Sequence, residues 1–413
     1  MILNNNKIKK DPSQEKIKFI LELLNSNKLK NAKREARELI VKYPNSSVLF
    51  NILGAVLVGQ NEFNKGIENY KKAIQISPNY AQAYNNLGVA LHKLNKRNEA
   101  INNYKKAISL KTDFAEAYNN LGSITQDINK PLEAQRYLEK ALQFKSNYAE
   151  AYNNLGRVYE NLGKKTEALK HFQKAININP DYAEAYNNIG LALFDMTRFD
   201  ESILSYKKAI NLKPNYEKPY NNLGNVLSCF GKYNEAENLY RQAIKIKPDS
   251  ASAYSNLLFN YNYKTEWDSN SYLLKAKKYR LNCKSIKKKL PFQYQYEKNP
   301  KKIKLGFVSA DFGIHPGGYF TLSTLRELKN KNFDLIAYVT NERNDTISHH
   351  FKPLFLKWNL ISGKNDEEVV EQIIKDGVHI LIDAQGHSSK NRLSIFMYKP
   401  APIQVTWLNQ GST

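Results

Sequence analysis

The sequence predicts a mixed fold, in which an all-α array of stacked helix pairs is followed by a smaller α/β lobe. The first observation is a phrase, Ala-Tyr-Asn-Asn-Leu-Gly at residues 83–88, that recurs every 34 residues along much of the chain. The second is that this period stops near residue 262, after which short apolar runs alternate with helix-like stretches. A 34-residue period without strand-type alternation indicates a solenoid of helix pairs. Strands that alternate with helices indicate a parallel sheet.

Each repeat is predicted to contain two helices, the first of which carries the phrase. Its copies begin at Ala83, Ala117, Ala151, Ala185 and Pro219, with a decayed copy at Ala253. In the second helix small residues such as Ala100 and Ala107 flank Tyr104, and small residues let two helices approach closely. Proline, which cannot continue a helix, ends this second helix in four repeats: Pro78, Pro180, Pro214 and Pro248. We therefore expect about seven helix pairs over residues 12–262, after a disordered N-terminus at 1–11.

Two adjacent asparagines stand in the first helix of nearly every repeat, although asparagine costs roughly 0.6 kcal/mol relative to alanine inside a helix. If this helix lines the inner wall of the array, the second asparagines form a ladder there: Asn86, Asn120, Asn154, Asn188, Asn222 and Asn256. A carboxamide can pair with peptide N–H and C=O groups whatever the peptide sequence. The hypothesis is that the ladder binds extended peptides. The alternative is that the second asparagine packs between repeats and the first reflects A/T-rich coding.

The net charge of +23 raises the question of an anionic partner. Residues 275–304 hold twelve Lys or Arg against one acid, Glu297. We interpret this stretch as part of a basic, solvated connecting segment at 263–301, in preference to a nucleic-acid or membrane patch. Cys229 and Cys283 support neither a disulfide framework nor a zinc site. Without an apolar run of membrane-spanning length, the expected location is cytoplasmic, with no membrane partner.

From residue 302 to 413 the pattern predicts a Rossmann-like lobe. Apolar runs at 304–309, 333–339, 378–382 and 403–407 predict strands, and helices are expected near 320–330, 366–376 and 390–398. Ligands of such sheets bind at the carboxyl ends of the strands. Two polar, glycine-containing loops follow strands there, at 309–318 and 383–389.

Each of these loops contains a histidine. His315 stands just beyond a strand on a turn bounded by glycine and proline, and a neutral imidazole there can accept a proton from a hydroxyl nucleophile. His387 can orient a sugar or phosphate oxygen. His379 is interpreted as a strand residue of the core, and His349 and His350 as surface residues.

At these loops the chain resembles the protein O-GlcNAc transferase family, in which tetratricopeptide repeats precede a two-lobed GT-B glycosyltransferase. The resemblance spans the whole chain. It rests on residues 306–316 (Gly-Phe-Val-Ser-Ala-Asp-Phe-Gly-Ile-His-Pro), 376–381 (Asp-Gly-Val-His-Ile-Leu) and 399–408 (Lys-Pro-Ala-Pro-Ile-Gln-Val-Thr-Trp-Leu). It implies transfer of N-acetylglucosamine from its UDP donor to Ser or Thr hydroxyls, with no metal or other cofactor. The lack of an Asp-x-Asp pair agrees with that implication.

The resemblance also implies residue roles. The family's active-site histidine falls on His315, and a proposed proton acceptor falls on Asp376. The substrate-binding loop and the arginine after it fall on His387 and Arg392. The chain departs from the family at 317–320, where a second histidine is usual, and it stops where the first lobe of the family passes into the second. We therefore expect a donor-binding lobe to be missing and this chain to be inactive alone.

Two other functions stay open at this level. One is a non-enzymatic adaptor, in which the repeats bind a protein partner and the lobe is a docking module. The other, ranked last, is nucleic-acid binding through residues 275–304. The expected partners are extended peptides or proteins in the repeat groove and a UDP-sugar. Whether the array forms a homodimer is left open.

Overall fold

The computed structural model describes residues 11–261, 263, 299–385 and 391–407. Most of the predicted N-terminal and basic connecting segments, and all of the basic run up to residue 298, therefore lie outside the described residues, as does His387. Contacts group the chain into two compact units, residues 1–180 and 181–413. No helix within the described ranges is both long and apolar enough to cross a bilayer.

Over its described residues, 11–180, the first unit contains ten α-helices arranged as five pairs. They are α1 (Gln14–Asn25), α2 (Leu29–Lys42), α3 (Ser47–Gly59), α4 (Phe63–Ile76), α5 (Ala81–Lys93), α6 (Arg97–Leu110), α7 (Ala115–Asp127), α8 (Pro131–Phe144), α9 (Ala149–Asn161) and α10 (Lys165–Ile178). The second unit begins with the same repeat. Its repeat helices are α11 (Ala183–Asp195), α12 (Phe199–Leu212), α13 (Glu217–Cys229), α14 (Tyr233–Ile246) and α15 (Ala251–Tyr261).

The glycine of the repeated phrase marks the closest approach of the two helices of a repeat. A Cβ added at Gly88 would lie 2.6 Å from Tyr104 Cε1, and Gly190 and Tyr206 repeat the same relationship. Tyr104 is buried there, with Ala100 and Ala107 completely buried on either side of it. The spacing of small and aromatic residues therefore fixes how the paired helices pack.

The lobe in the second unit contains a five-stranded sheet in the order β3-β2-β1-β4-β5, with every neighbouring pair parallel. The strands are β1 (Ile303–Ser309), β2 (Phe333–Val339), β3 (Lys357–Leu360), β4 (Ile380–Asp383) and β5 (Ile403–Thr406). The helices are α16 (Pro316–Lys329), α17 (Ser348–Phe351), α18 (Asp366–Asp376) and α19 (Leu393–Met397), with a 3-10 turn at Lys352–Leu354. The predicted combination of a helical repeat array and a parallel α/β lobe is confirmed.

Strand β3 was not predicted from the sequence. It is a four-residue edge strand with polar side chains at Lys357 and Asn359, so it lacks the apolar run by which the other strands were recognised. His379 also differs from prediction, because it lies just before β4 and is half-buried. Its Nδ1 accepts a hydrogen bond from the backbone N–H of Lys304, which ties the starts of β1 and β4 together.

Apolar clusters cover both faces of the central strands of the sheet. On one face, residues such as Val308 and Ile336 pack against Ile373 of α18. On the other, Phe307 and Leu335 pack with Leu325 of α16, so alternate residues of each strand enter opposite layers. A separate cluster joins Tyr254 and Leu258 of α15 to Met397 of α19. The last repeat helix thus packs directly on the lobe within the second unit.

Candidate functional site at the carboxyl edge of the sheet

The loop from β1 to α16, residues 310–315, lies at the carboxyl edge of the central strand. Its backbone folds back on itself, since Gly313 N–H donates to the Asp311 carbonyl (2.8 Å) and Asp311 N–H donates to Ser309 Oγ (3.0 Å). Phe312 anchors the loop, packing its ring 5.2 Å from that of Phe351 and 5.5 Å from that of Trp358. The packing of the Phe312 ring therefore holds the backbone of the loop that carries His315 in place.

Two side chains from the loop after β2 hold this segment from the side. Arg343 donates from Nε to the Ala310 carbonyl (3.0 Å) and from Nη1 to the Ile314 carbonyl (3.1 Å). Asp345 Oδ2 accepts from Ile314 N–H (2.9 Å). The sequence reasoning missed Arg343 and Asp345. The available signal was their position after a predicted strand, because carboxyl ends of adjacent parallel strands meet at one edge.

A third support comes from the end of β4. Gln385 Oε1 accepts from the buried backbone N–H of Ala310 (2.9 Å). The backbone N–H of Gln385 donates to Asp383 Oδ1 (3.1 Å). Gln385 is buried. The loop that carries His315 is thus bound to both strands that flank β1.

His315 is the N-cap residue of α16. Its backbone is extended, and its Nδ1 accepts from Gly317 N–H at 3.1 Å. The same Nδ1 lies 3.4 Å from Asp311 Oδ2, and 40% of the His315 side chain is exposed. The ring is therefore held through Nδ1 while part of it remains open to a ligand.

Asp311 is a partly buried carboxyl group of the site. Burial raises the pKa of its carboxyl group, while His315 and Arg343 favour the ionised form. Arg343 Nη2 lies 3.6 Å from Asp311 Oδ1. Asp345 shows the opposite balance: partial burial favours its protonated form, but backbone N–H donors of Ile314, Ser348 and Ile347 outweigh this effect and lower its pKa. In this site the ionised form of Asp311 is therefore disfavoured, whereas the ionised form of Asp345 is stabilised.

Close backbone approach explains two glycines of this loop. A Cβ at Gly318 would lie 2.3 Å from the Gly313 carbonyl oxygen and 2.6 Å from that of Asp311. A Cβ at Gly313 would lie 2.6 Å from Asp345 Oδ2 and from Arg343 Cδ. The start of α16 and the Arg343 clamp can approach the loop only because both side chains are absent.

Asp376 is not brought together with His315. It ends α18 at the amino edge of the sheet, where its carbonyl accepts from Lys304 Nζ at the start of β1 (3.0 Å). Its carboxylate, 1% exposed, pairs with Lys357 Nζ (2.6 Å) and accepts from Tyr338 Oη (2.8 Å). Parallel strands separate their amino and carboxyl edges by the length of the sheet, so this placement gives Asp376 a structural role. The proton-acceptor role that the resemblance implies for Asp376 stays a prediction, and the structure places this carboxylate apart from His315.

Arg392 does lie at the carboxyl edge, immediately before α19. Its guanidinium forms an ion pair with Asp366 at the start of α18 and donates from Nη1 to the Ile361 carbonyl just after β3 (3.3 Å). Only 19% of the side chain is exposed. A substrate-binding role for Arg392 stays a prediction, and it would require the guanidinium to share its donors with Asp366. His387 lies outside the described residues.

The asparagine ladder is built between repeats. The amide N–H of the second asparagine donates to the side-chain oxygen of the first asparagine one repeat earlier, at 2.9–3.0 Å. These bonds run from Asn86 to Asn51, Asn120 to Asn85 and Asn154 to Asn119 in the first unit, and from Asn222 to Asn187 and Asn256 to Asn221 in the second. Asn188 accepts from Asn187 at 3.4 Å.

These bonds agree in part with each of the two interpretations of the ladder, peptide binding and packing between repeats. The second asparagines bond between repeats, as the alternative expected, yet all six are partly exposed, as peptide binding requires. The first asparagines are buried as acceptors, for example Asn85 and Asn119, so they have a structural role and are more than a product of A/T-rich coding. Peptide binding by the ladder remains a prediction.

The described residues form helical repeats with a partly exposed amide ladder and a parallel α/β lobe with polar loops at its carboxyl edge. This combination is typical of a repeat array that is followed by an enzyme-type α/β lobe. Comparison with known proteins agrees. The glycosyl transferase family 41 profile matches residues 274–413. Tetratricopeptide repeat profiles match residues 54–95, 90–127, 114–145, 149–182 and 181–249. The resemblance read from the sequence is confirmed to this extent.

Curated relatives match over part of the chain. A rice (Oryza sativa subsp. japonica) protein named probable UDP-N-acetylglucosamine–peptide N-acetylglucosaminyltransferase SPINDLY is 32% identical over 133 residues, which is 30% of this chain and 14% of that protein. The UDP-N-acetylglucosamine–peptide N-acetylglucosaminyltransferase of Caenorhabditis elegans is 34% identical over 123 residues, 28% of this chain and 10% of the relative. The matches thus span about a seventh or less of these relatives.

Solved structures share the fold. A Thermobaculum terrenum O-GlcNAc transferase mutant aligns with a TM-score of 0.57 and 24% identity, covering 63% of this chain and 50% of that one. An APC/C hetero-tetramer aligns with a TM-score of 0.55 and 18% identity, covering 58% and 48%. At these identities the likeness concerns architecture alone.

Proposed function

We propose that this protein takes part in transferring a sugar from a UDP-sugar to Ser or Thr hydroxyls of proteins. In this proposal the repeats bind the acceptor as an extended chain, and the carboxyl edge of the lobe faces the reacting groups. The observation that carries the proposal is the presence, in one chain, of tetratricopeptide repeats and a glycosyl transferase family 41 region. N-acetylglucosamine is the sugar that the names of the relatives indicate.

The ladder supports acceptor binding without a strict sequence requirement. An asparagine amide has two N–H donors and an oxygen with two lone pairs, so the bond from Asn120 to Asn85 leaves hydrogen-bonding capacity for a ligand. The inter-repeat bond also fixes the orientation of the amide before a peptide arrives. Fixed donors and acceptors lose less entropy on binding, which favours recognition of a flexible peptide.

The loop around His315 supports chemistry at the sheet edge. Arg343, Asp345 and Gln385 hold the loop backbone from two neighbouring strands, so His315 sits on a rigid support. A rigid, partly exposed polar group at the carboxyl edge of a parallel sheet is suited to contact a ligand oxygen. In this proposal His315 is the residue of the described lobe that contacts the reacting groups.

The acceptor part is tested by peptide binding. Fluorescence anisotropy would measure the affinity of extended Ser- and Thr-containing peptides for the chain and for the triple variant Asn120→Ala, Asn154→Ala, Asn188→Ala. Three lost hydrogen bonds of about 1 kcal/mol each predict a loss of affinity of roughly a hundredfold. The matched control replaces three exposed asparagines of second helices, Asn102→Ala, Asn177→Ala, Asn211→Ala, and should bind normally.

Retained binding with reduced stability in the ladder variant would make the ladder purely structural. The donor part is tested by calorimetric titration with UDP-N-acetylglucosamine, together with transfer of labelled sugar to the bound peptide. A non-enzymatic adaptor would bind peptides and ignore the nucleotide sugar. If the chain binds neither extended peptides nor a UDP-sugar, the proposed function is wrong.

A further inference from the structure

We infer that neutral His315 is held as the tautomer that carries its proton on Nε2, so that the ring offers a hydrogen-bond donor to a ligand oxygen. The tautomer follows from the helix cap, in which Nδ1 of His315 accepts from Gly317 N–H at 3.1 Å. A ring nitrogen that accepts a hydrogen bond carries no proton. In a neutral imidazole the proton is then on the other nitrogen.

The local sequence makes this cap the natural state of the ring. Pro316 occupies the first helical position and has no N–H, so Gly317 provides the first backbone donor of the 14-residue helix α16. Such donors have no partner within the helix and depend on the N-cap side chain. The extended backbone of His315, φ −159° and ψ 144°, is the conformation in which an N-cap side chain reaches the first turn. The local sequence and the backbone conformation therefore both direct Nδ1 of His315 toward the first turn of α16.

Asp311 is the group that opposes this tautomer. Its Oδ2 lies 3.4 Å from Nδ1 and would favour a proton there. Arg343, however, faces the other oxygen of the same carboxylate at 3.6 Å, and it donates to the carbonyls on both sides of the loop. Asp345, the remaining acid of this cluster, is occupied by backbone donors. Since 3.1 Å is an ordinary N–H···N distance and 3.4 Å is long for an ion-paired hydrogen bond, the cap prevails over Asp311.

The consequence deepens the proposed function and rests on it for the identity of the ligand. The sequence suggested that His315 takes a proton from a hydroxyl nucleophile. With Nε2 already protonated, the exposed part of the ring instead donates to an oxygen lone pair, from either a diphosphate or an acceptor hydroxyl. In this role His315 positions an oxygen through Nε2–H and does not act as the base that takes the proton of the acceptor hydroxyl.

The tautomer can be measured directly. In protein labelled with ¹⁵N-histidine, multiple-bond ¹H–¹⁵N spectra distinguish the ring nitrogens by their couplings to the two ring C–H protons. The His315 signals are those lost in His315→Asn, a variant that retains N-cap capacity. At a pH where the ring is neutral we expect a protonated Nε2 and an unprotonated Nδ1. A protonated Nδ1, or equal populations of the two tautomers, overturns the inference.

One further variant and two ligands complete the experiment. Asp311→Asn should keep the Nε2–H tautomer, because it removes the competing carboxylate, and a switch to Nδ1–H in this variant would contradict the explanation. Titration with UDP alone and with a Ser-containing peptide alone should identify the ligand oxygen by which of them shifts the Nε2 signal. Since the tautomer is read without any ligand, it is independent of sugar transfer. An Nε2–H signal that neither ligand shifts overturns the donor role and counts against the proposed function, while leaving the tautomer standing.

Discussion

The side-chain amide of Asn120 donates a 2.9 Å hydrogen bond to the side-chain oxygen of Asn85, one repeat earlier. Asn85 is buried, so its oxygen has few alternative donors. Asparagine is a poor helix former, and this bond is the compensation for placing two of them side by side. The relationship links neighbouring repeats through polar groups in addition to apolar packing.

The Asn85–Asn120 bond predicts a measurable coupling. We expect Asn85→Ala and Asn120→Ala each to lower the free energy of unfolding by about 1 kcal/mol, because each leaves a polar partner unpaired. The double variant should lose less than the sum of the two. Urea unfolding followed by far-UV circular dichroism measures all four proteins. Strict additivity would show that the two amides do not stabilise one another.

The approach of α16 to its preceding loop predicts a sharp difference between adjacent glycines. Gly318→Ala places a Cβ against two backbone carbonyls and should destabilise the lobe by about 2 kcal/mol or more. A Cβ at Gly317 would meet side-chain atoms alone, His315 Nδ1 at 3.2 Å and Asp311 Oδ2 at 3.7 Å, so Gly317→Ala should cost much less. Tryptophan fluorescence reports the lobe, since Trp358 and Trp407 lie in it and the repeats contain no tryptophan. Equal effects of the two substitutions would contradict the described loop geometry.

The position of Asp376 predicts a structural phenotype. Asp376→Ala removes the acceptor of Tyr338 and the partner of Lys357, and should cost the lobe about 2 to 3 kcal/mol. Tyr338→Phe removes one of these bonds and should cost about 1 kcal/mol. Thermal unfolding of the lobe provides the comparison. If Asp376→Asn instead left stability unchanged, the structural role would be wrong, and the catalytic role that the resemblance implies would gain support.

The partly buried carboxyl group of Asp311 predicts a pH dependence of stability. Because burial raises its pKa in the folded state, the folded protein retains this proton at pH values where the unfolded carboxyl, with a pKa of about 3.9, has lost it. Stability from this group therefore falls as pH rises from about 3.9 to the raised value. Asp311→Asn cannot titrate, so the Tm of the variant relative to the parent should increase across this window and then stay constant.

Asp127 in the first unit is the matched control of opposite sign. Burial favours its protonated form, but His92 and Arg157 outweigh burial and lower its pKa. Its contribution to stability is present above about pH 3.9 and is lost as pH falls through the lowered value. Asp127→Asn should therefore lose Tm relative to the parent as pH rises through that range. Parallel behaviour of Asp127→Asn and Asp311→Asn would contradict both assignments.

The strands and repeat helices were predictable because their signals are local. Strand β1 is an apolar run. The glycine and tyrosine represented by Gly88 and Tyr104 recur at fixed spacing because the two helices of each repeat pack in the same way. Strand β3 was not predicted because its side chains are only partly buried at the edge of the sheet. Such a strand does not need a run of apolar residues. For the candidate site, His315 was placed correctly beyond β1, whereas Arg343 was missed because its targets are backbone carbonyls 29 and 33 residues away.

The sequence by itself determined the helical repeat, the parallel lobe and the edge of the sheet at which polar loops collect. Each of these follows from periodicity and strand order, which short-range sterics and burial impose on any chain with this pattern. Only the tertiary structure decided which polar groups meet. It paired Asn120 with Asn85, placed Asp376 at the amino edge away from His315, and turned Nδ1 of His315 toward Gly317. Hydrogen bonds act over about 3 Å and depend on direction, so they are fixed by the final positions of distant segments.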